Sequence, residues 1–182
     1  MVAPNMINGV DVAELKRKAG MMQQDPRMAK FEFRVRNKWL DCGHSQTTIS
    51  DFDGAGRHIE HRQTFRIDAD EPPVLLGQDQ GANPVEHLLN ALVTCLTGAM
   101  VYHAAIRGIR IEEVESTVEG DLDVRGFMGL TDNVRKGYQN IRVNFSVKAD
   151  APKEALEECA RFSPVFDVLS NGTDVSLNIK KK

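Results

Sequence analysis

Hydrophobic and polar positions change period several times along these 182 residues, and each change marks an element. Between Asp11 and Gln24, Val12, Leu15 and Ala19 line one side, Asp11 and Glu14 stand at capping-box spacing, and Pro26 follows. This predicts a short amphipathic helix. From Lys30 the period drops to two: Phe31, Phe33 and Val35 alternate with Glu32, Arg34 and Arg36, the pattern of a half-buried strand. Ser45 to Ile49 reads as a second strand, the Asp-Gly pair within Asp51–Gly56 as a hairpin turn, and His58 to Ile67 as the return strand. Together these form an antiparallel meander.

Residues 68 to 82 carry two prolines and two glycines without a sustained period and read as a loop. The chain then enters a long apolar helix at Asn83-Pro84, running through NPVEHLLNALVTCLTGAMVYHAAIRGI to Ile109 with Gly108 as its stop signal. Ile111 to Val124 returns to strand character, with Val114, Ser116 and Val118 on one face. After a turn-rich segment around Gly126, Gly129 and Gly137, Gln139 to Val147 alternates cleanly as another strand. A helix follows from about Pro152 to Phe162, Pro164 interrupts it before Val165 to Ser170, and Val175, Leu177 and Ile179 outline a final strand. Meander, buried helix, strand pair, helix and strand make an α+β pattern rather than alternating βα units. The longest apolar stretch, Ala91 to Ile106, is short for a membrane span and contains Thr94, Thr97, Tyr102 and His103, so it reads as a core helix.

Twenty-three basic against 26 acidic residues give a net charge of −3, with no basic footprint for nucleic acid. The N-terminus lacks a charged stretch followed by an apolar one, so no secretory signal and no membrane partner are expected. Cys42, Cys95 and Cys159 are too few and too scattered for a disulfide framework, which fits a reducing, cytoplasmic setting. Cys42 and His44 could share one face of a strand. Two ligands without a second pair are a weak zinc signal, and no metal or cofactor is expected. His58 and His61 lie at an odd spacing on one strand and face opposite ways.

Cys95, in the middle of the long helix, is the candidate reactive thiol. A thiolate there needs a nearby cation or donor, and without one a mid-helix cysteine is a small core hydrophobe. Asn83, Pro84 and Glu86 are in N-cap, N1 and N3 register, so Glu86 reads as a helix cap before it reads as a catalytic carboxylate. Glu86 and Cys95 also project in nearly opposite directions on an ideal helix. Leu88, Leu92 and Leu96 would form an apolar wall near the thiol, Tyr102 shares its face, and His87 could reach the cleft from an adjacent one.

The segment from Gly81 to Met100, with the later Ser163-Pro164-Val165 step, resembles the OsmC/Ohr family of thiol proteins, in element order from about Lys30 to the C-terminus. The resemblance divides the chain into an N-terminal extension, residues 1–29, and an OsmC-like domain, residues 30–182. It implies antiparallel sheets packed around a long central helix in an intertwined homodimer, with the reactive thiols at the interface. It implies reduction of organic hydroperoxides by two cysteines, one on the central helix and one just before a proline on the second helix. Cys95 matches the first and Ser163 stands at the second. Cys159, one turn earlier, is the possible substitute resolving thiol. Active relatives carry a glutamate directly after Asn-Pro, where this chain has Val85. Their arginine finds no matching motif, leaving Arg57, Arg36 and Arg62 as candidates. Two functions follow as expectations: a one-cysteine peroxidase acting on an apolar hydroperoxide with an external thiol reductant, or a non-catalytic binder of a small apolar ligand at the dimer interface.

Overall fold

The computed structural model describes residues 6–182. Residues 1–5 of the expected extension lie outside them. Contacts divide the chain into two compact units, Asp11–Leu88 and, with Met6–Val10, Leu89–Lys182.

In the first unit the amphipathic helix forms as α1, Val12–Gln24. Asp11 caps it, accepting the Glu14 N–H at 3.0 Å. Pro26–Ala29 follow as a 3-10 turn. The meander has four strands: β3 Phe31–Phe33, β4 Arg36–Asp41, β5 His44–Gly54 and β6 Arg57–Ala69. Two shorter strands, β1 Met6–Ile7 and β2 Val10–Asp11, precede α1, Met6–Val10 being grouped with the second unit, and Asn8 (φ 52°) and Gly9 (φ 77°) form the turn between the two. That Asn-Gly pair is a strong hairpin signal in the sequence.

β5 is the middle of the sheet. β6 runs along one edge, and β3 and β4 pair in succession with the two ends of the other. The single strand expected from Lys30 is thus broken at Arg34–Val35, opposite an irregularity between Ile49 and Asp51. Asp51 holds the break closed. It accepts Arg34 at 2.7 Å and Arg36 at 2.9 Å, and Arg34 also pairs with Asp53. The Ser50 hydroxyl and these two guanidiniums hold the Asp51 carboxyl well below the ordinary range.

The β3 residues expected to be half-buried are exposed, Phe33 at 73%. They stack instead on one another, with Phe31, Phe33, Phe52, His61 and Phe65 forming a continuous run of rings. The hairpin turn also falls later than expected, on Ala55-Gly56, where both residues have positive φ (51° and 74°). Asp53 and Gly54 remain in β5, and the Phe31 ring lies where a side chain at Gly54 would be.

The loop after β6 contains a second 3-10 turn, Pro73–Leu75. Its organiser is Asp70, 1% exposed, which accepts the N–H groups of Glu71, Gln78 and Gln80 at 2.8, 3.1 and 3.2 Å. Burial pushes this carboxyl up, but the three backbone donors outweigh it and hold the pKa below the ordinary value.

The long helix, α2, spans Pro84–Arg107. Gly108 (φ 80°) ends it in a Schellman motif, with Gly108 N–H donating to Ala105 and Ile109 N–H to Ala104. At 24 residues α2 is, by length and composition, the one described helix that could cross a membrane, so length does not exclude a span as the apolar stretch alone suggested. One stripe of it packs inside the protein. In the second unit Leu92, Leu96, Met100 and Ala104 form a stripe at four-residue spacing buried with Leu156, Cys159 and Ala160.

Covering that core are β7 Ile111–Asp121 and β8 Asn140–Ala149, an antiparallel pair, with Ile141, Val143, Phe145, Val147 and Ala149 turned inward. A single-turn helix, α3 Val124–Phe127, lies in the connection. As expected, Pro164 interrupts the helical segment, leaving α4 Lys153–Ala160 and α5 Pro164–Asn171 divided at Ser163-Pro164. Asn8 braces the α2–β7 junction by donating to the Ile109 carbonyl at 3.0 Å and accepting the Ile111 N–H at 2.9 Å. The expected final strand is absent. Val175, Leu177 and Ile179 are exposed with no strand beside them, and an alternating segment forms a strand only when another edge supplies its hydrogen bonds.

Replacing Asp70 with Ala removes the common acceptor of three loop N–H groups. Hydrogen exchange should show the Gln78 and Gln80 amides losing most of their protection while those of β7 and β8 keep theirs.

Candidate functional site

The entry to α2 is built as its sequence predicts. Asn83 Oδ1 accepts the Val85 N–H at 3.0 Å, and Glu86 Oε2 reaches back to the Asn83 N–H at 2.8 Å. The Asn83 side-chain amide donates to Glu71. Glu86 is therefore engaged as a cap. Nine residues separate it from Cys95, about 13 Å along an ideal helix and half a turn around it. His87 Nε2 donates to the Asp68 carbonyl at 3.2 Å, which fixes its proton on that nitrogen.

Cys95 is half-buried and reduced. It lies about 100° around the helix from Leu96, off the buried stripe. Leu88 and Tyr102, seven residues to either side, share its face, and both are exposed, Tyr102 at 53%. Leu92 and Leu96, expected beside them as a pocket wall, are used in the core, 3% and 6% exposed. Among the described residues no side-chain hydrogen bond or ion pair reaches the Cys95 thiol.

Cys159 has the opposite environment. It is fully buried on α4 against the α2 stripe, and burial pushes its thiol pKa up, with Arg107 opposing and Glu158 reinforcing the shift. Ser163 is 1% exposed and caps α5, its hydroxyl accepting the Phe166 N–H at 3.1 Å. A cysteine would be a poorer acceptor at that position. His103 stacks flat on Phe162, ring centroids 3.9 Å apart, and burial, then the Arg107 charge, lowers its pKa.

Of the candidate arginines, Arg36 is engaged by Asp51 and Ser50, whereas Arg57 and Arg62 make no ion pair or side-chain hydrogen bond among the described residues. Cys42 is exposed in the β4–β5 turn with φ 43°, its thiol donating to the Leu76 carbonyl at 3.2 Å. His44 pairs with Asp68 at 2.9 Å. Among the described residues no group of three ligands could hold a metal.

A family model described as OsmC-like protein matches residues 77–178, more than half of the chain, including α2, Cys95, Cys159 and Ser163. The chain belongs to the OsmC-like family.

Solved structures agree on the fold. An OsmC-like protein from Mycoplasma pneumoniae matches with a TM-score of 0.56 at 14% identity, covering 77% of this chain and 88% of its own. A protein from Psychrobacter arcticus 273-4 gives 0.55 at 13%, covering 76% and 88%. The organic hydroperoxide resistance protein OsmC of Legionella pneumophila gives 0.50 at 21%, covering 78% and 91%. No curated protein matches. The fold of antiparallel sheets with a long helix is thus that of this family.

Ser163→Ala leaves the Phe166 N–H without its acceptor and should cost about 1 kcal/mol, seen as a melting temperature lower by about 2–4 °C. The folded pKa of His103 lies below its ordinary 6.5, so the unfolded chain takes up the proton first. Stability from this group is complete above pH 6.5 and is lost as pH falls through the folded value. His103→Phe keeps the stack and should flatten the fall in melting temperature below pH 6.5.

Proposed function

We propose that this OsmC-like protein reduces organic hydroperoxides through Cys95 alone, as a homodimer, with an external thiol as reductant. The observation that carries this reading is the division of labour between the two thiols of the second unit. Cys95 is turned off the core stripe and half-buried, whereas Cys159 is sealed in the core with a raised pKa. A thiol that must attack another sulfur has to be ionised and reachable, which suits Cys159 poorly as the resolving partner. Ser163, a cap without redox chemistry, supplies no second cysteine.

In this chemistry the Cys95 thiolate attacks the distal oxygen of ROOH. The O–O bond breaks, sulfur is oxidised to the sulfenic acid, and the departing alkoxide takes a proton to leave as ROH. One external thiol condenses with the sulfenic acid, releasing water and forming a mixed disulfide. A second displaces it, regenerating Cys95 and giving the oxidised reductant. The exposed face of Leu88, Cys95 and Tyr102 is apolar, which favours an aryl or alkyl peroxide over hydrogen peroxide and suits burial against a second copy of α2.

One observation favours the alternative, a non-catalytic binder of a small apolar ligand on the same face. Glu86 is held by the helix cap, and no cation or donor contacts Cys95 among the described residues. Thiol-dependent turnover of cumene hydroperoxide separates the two. Wild type should turn over and Cys95→Ser should fall to the uncatalysed rate, with Cys159→Ala active. Equal rates for wild type and Cys95→Ser would leave the binder.

A further inference from the structure

The concavity with the most distinctive chemistry lies within the first unit, where α1 and the Pro26–Ala29 turn meet the closed end of the β5–β6 hairpin. It encloses about 290 Å³, near the ~300 Å³ at which small-molecule sites begin. Its lining is apolar, with Met22, Met28, Phe52 and Ile59 half-buried around the slot. Unbranched thioethers let such a lining follow a flexible hydrocarbon. The rim is cationic: Arg17, Lys18 and Arg57. Arg57 also lines a second concavity of about 380 Å³, shared with Arg27, Lys30 and His58. An apolar slot and a basic one therefore meet at a single side chain.

Most of these charges already have partners. Arg17 and Lys18 both pair with Glu14, Arg27 with Asp25 at 2.8 Å, and His58 with Asp53 at 3.1 Å. Asp53, the carboxylate in the basic slot, is also bonded to Arg34. Arg57 and Lys30 are the exceptions: neither side chain makes an ion pair or hydrogen bond among the described residues. Two uncommitted cations beside an apolar slot complement one anionic head on one hydrocarbon chain.

We propose that this groove binds a single-chain fatty carboxylate, its hydrocarbon on Met22, Met28, Phe52 and Ile59 and its carboxylate between Arg57 and Lys30. α1 and the 3-10 turn lie outside residues 77–178, so the site belongs to this chain's own N-terminal part rather than to the matched family segment. It is independent of Cys95 and of the peroxidase reading.

Calorimetric titration of the full-length protein with dodecanoate, below its micelle concentration, tests the proposal. One site per chain is expected, with octanoate more than tenfold weaker because four methylenes are missing. Dodecanol should be at least tenfold weaker, and Arg57→Gln and Lys30→Gln should each lose about tenfold. Both substitutions change exposed side chains, so the variants should melt with wild type. Cys95→Ser should bind dodecanoate as wild type does, whatever its effect on peroxide turnover. The proposal is overturned if dodecanoate does not bind at millimolar concentration, if dodecanol binds equally, or if neither charge substitution weakens binding. It is also overturned if Cys95→Ser abolishes binding, or if only anionic phospholipid vesicles bind, which would make the basic rim a membrane contact.

Discussion

Burial of Leu92, Leu96, Met100 and Ala104 against Leu156, Cys159 and Ala160 is the constraint on which the second unit depends. Side chains four residues apart make one ridge along a helix, and whatever packs on that ridge fixes the rotation of α2 about its own axis. With the ridge inward, Cys95 cannot also face the core. It comes to the edge, beside Leu88 and Tyr102, on the part of the helix that the protomer leaves open. The same packing seals Cys159 from solvent. The contrast between an accessible and an inaccessible thiol is thus a consequence of one helix–helix contact and needs no separate device.

Around that contact the polar groups serve mainly to place backbone. Asp70 gathers three loop N–H groups, Asn8 braces the α2–β7 junction, Asp51 bridges the break between β3 and β4, and Ser163 starts α5. Each sits where a strand or helix ends and its donors would otherwise lack partners. Glu86 belongs to this group: a carboxylate bonded to the helix N-terminus satisfies an orphan donor and complements the helix dipole. The exposed apolar surface is distributed differently. The ring stack from Phe31 to Phe65, the Leu88–Tyr102 face and the alternating tail at Val175, Leu177 and Ile179 all carry exposed apolar side chains.

The elements that were legible in the sequence are those whose signals are local. The Asp11 cap, the Asn83–Glu86 capping box, the Gly108 stop and the alternation of β8 involve groups within a few residues of one another, and each formed as its spacing predicts. Where the structure departs from the sequence pattern, the partner is more often one the local pattern does not contain. The break at Arg34–Val35 depends on Asp51, the turn moved to Ala55-Gly56 because β5 and β6 pair through Gly54, and the tail lacks an edge to pair with. The organising role of Asp70 left no signal, since its three donors are spread over ten residues of irregular chain.

For the site itself, the sequence determined the family, the position of Cys95 on an Asn-Pro-entered helix, and the replacement of the second cysteine by Ser163, because these are matters of residue identity and short-range spacing. Only the tertiary structure decided which of the surrounding side chains belong with the thiol. Leu92 and Leu96 were drawn into the core and Leu88 and Tyr102 left outside it, Glu86 was taken up by the cap, and Cys159 was closed off. The helix carries apolar residues on most of its circumference, so its sequence leaves its rotation open. The partners on α4 and β8 choose which face is buried, and they alone could settle where Cys95 points.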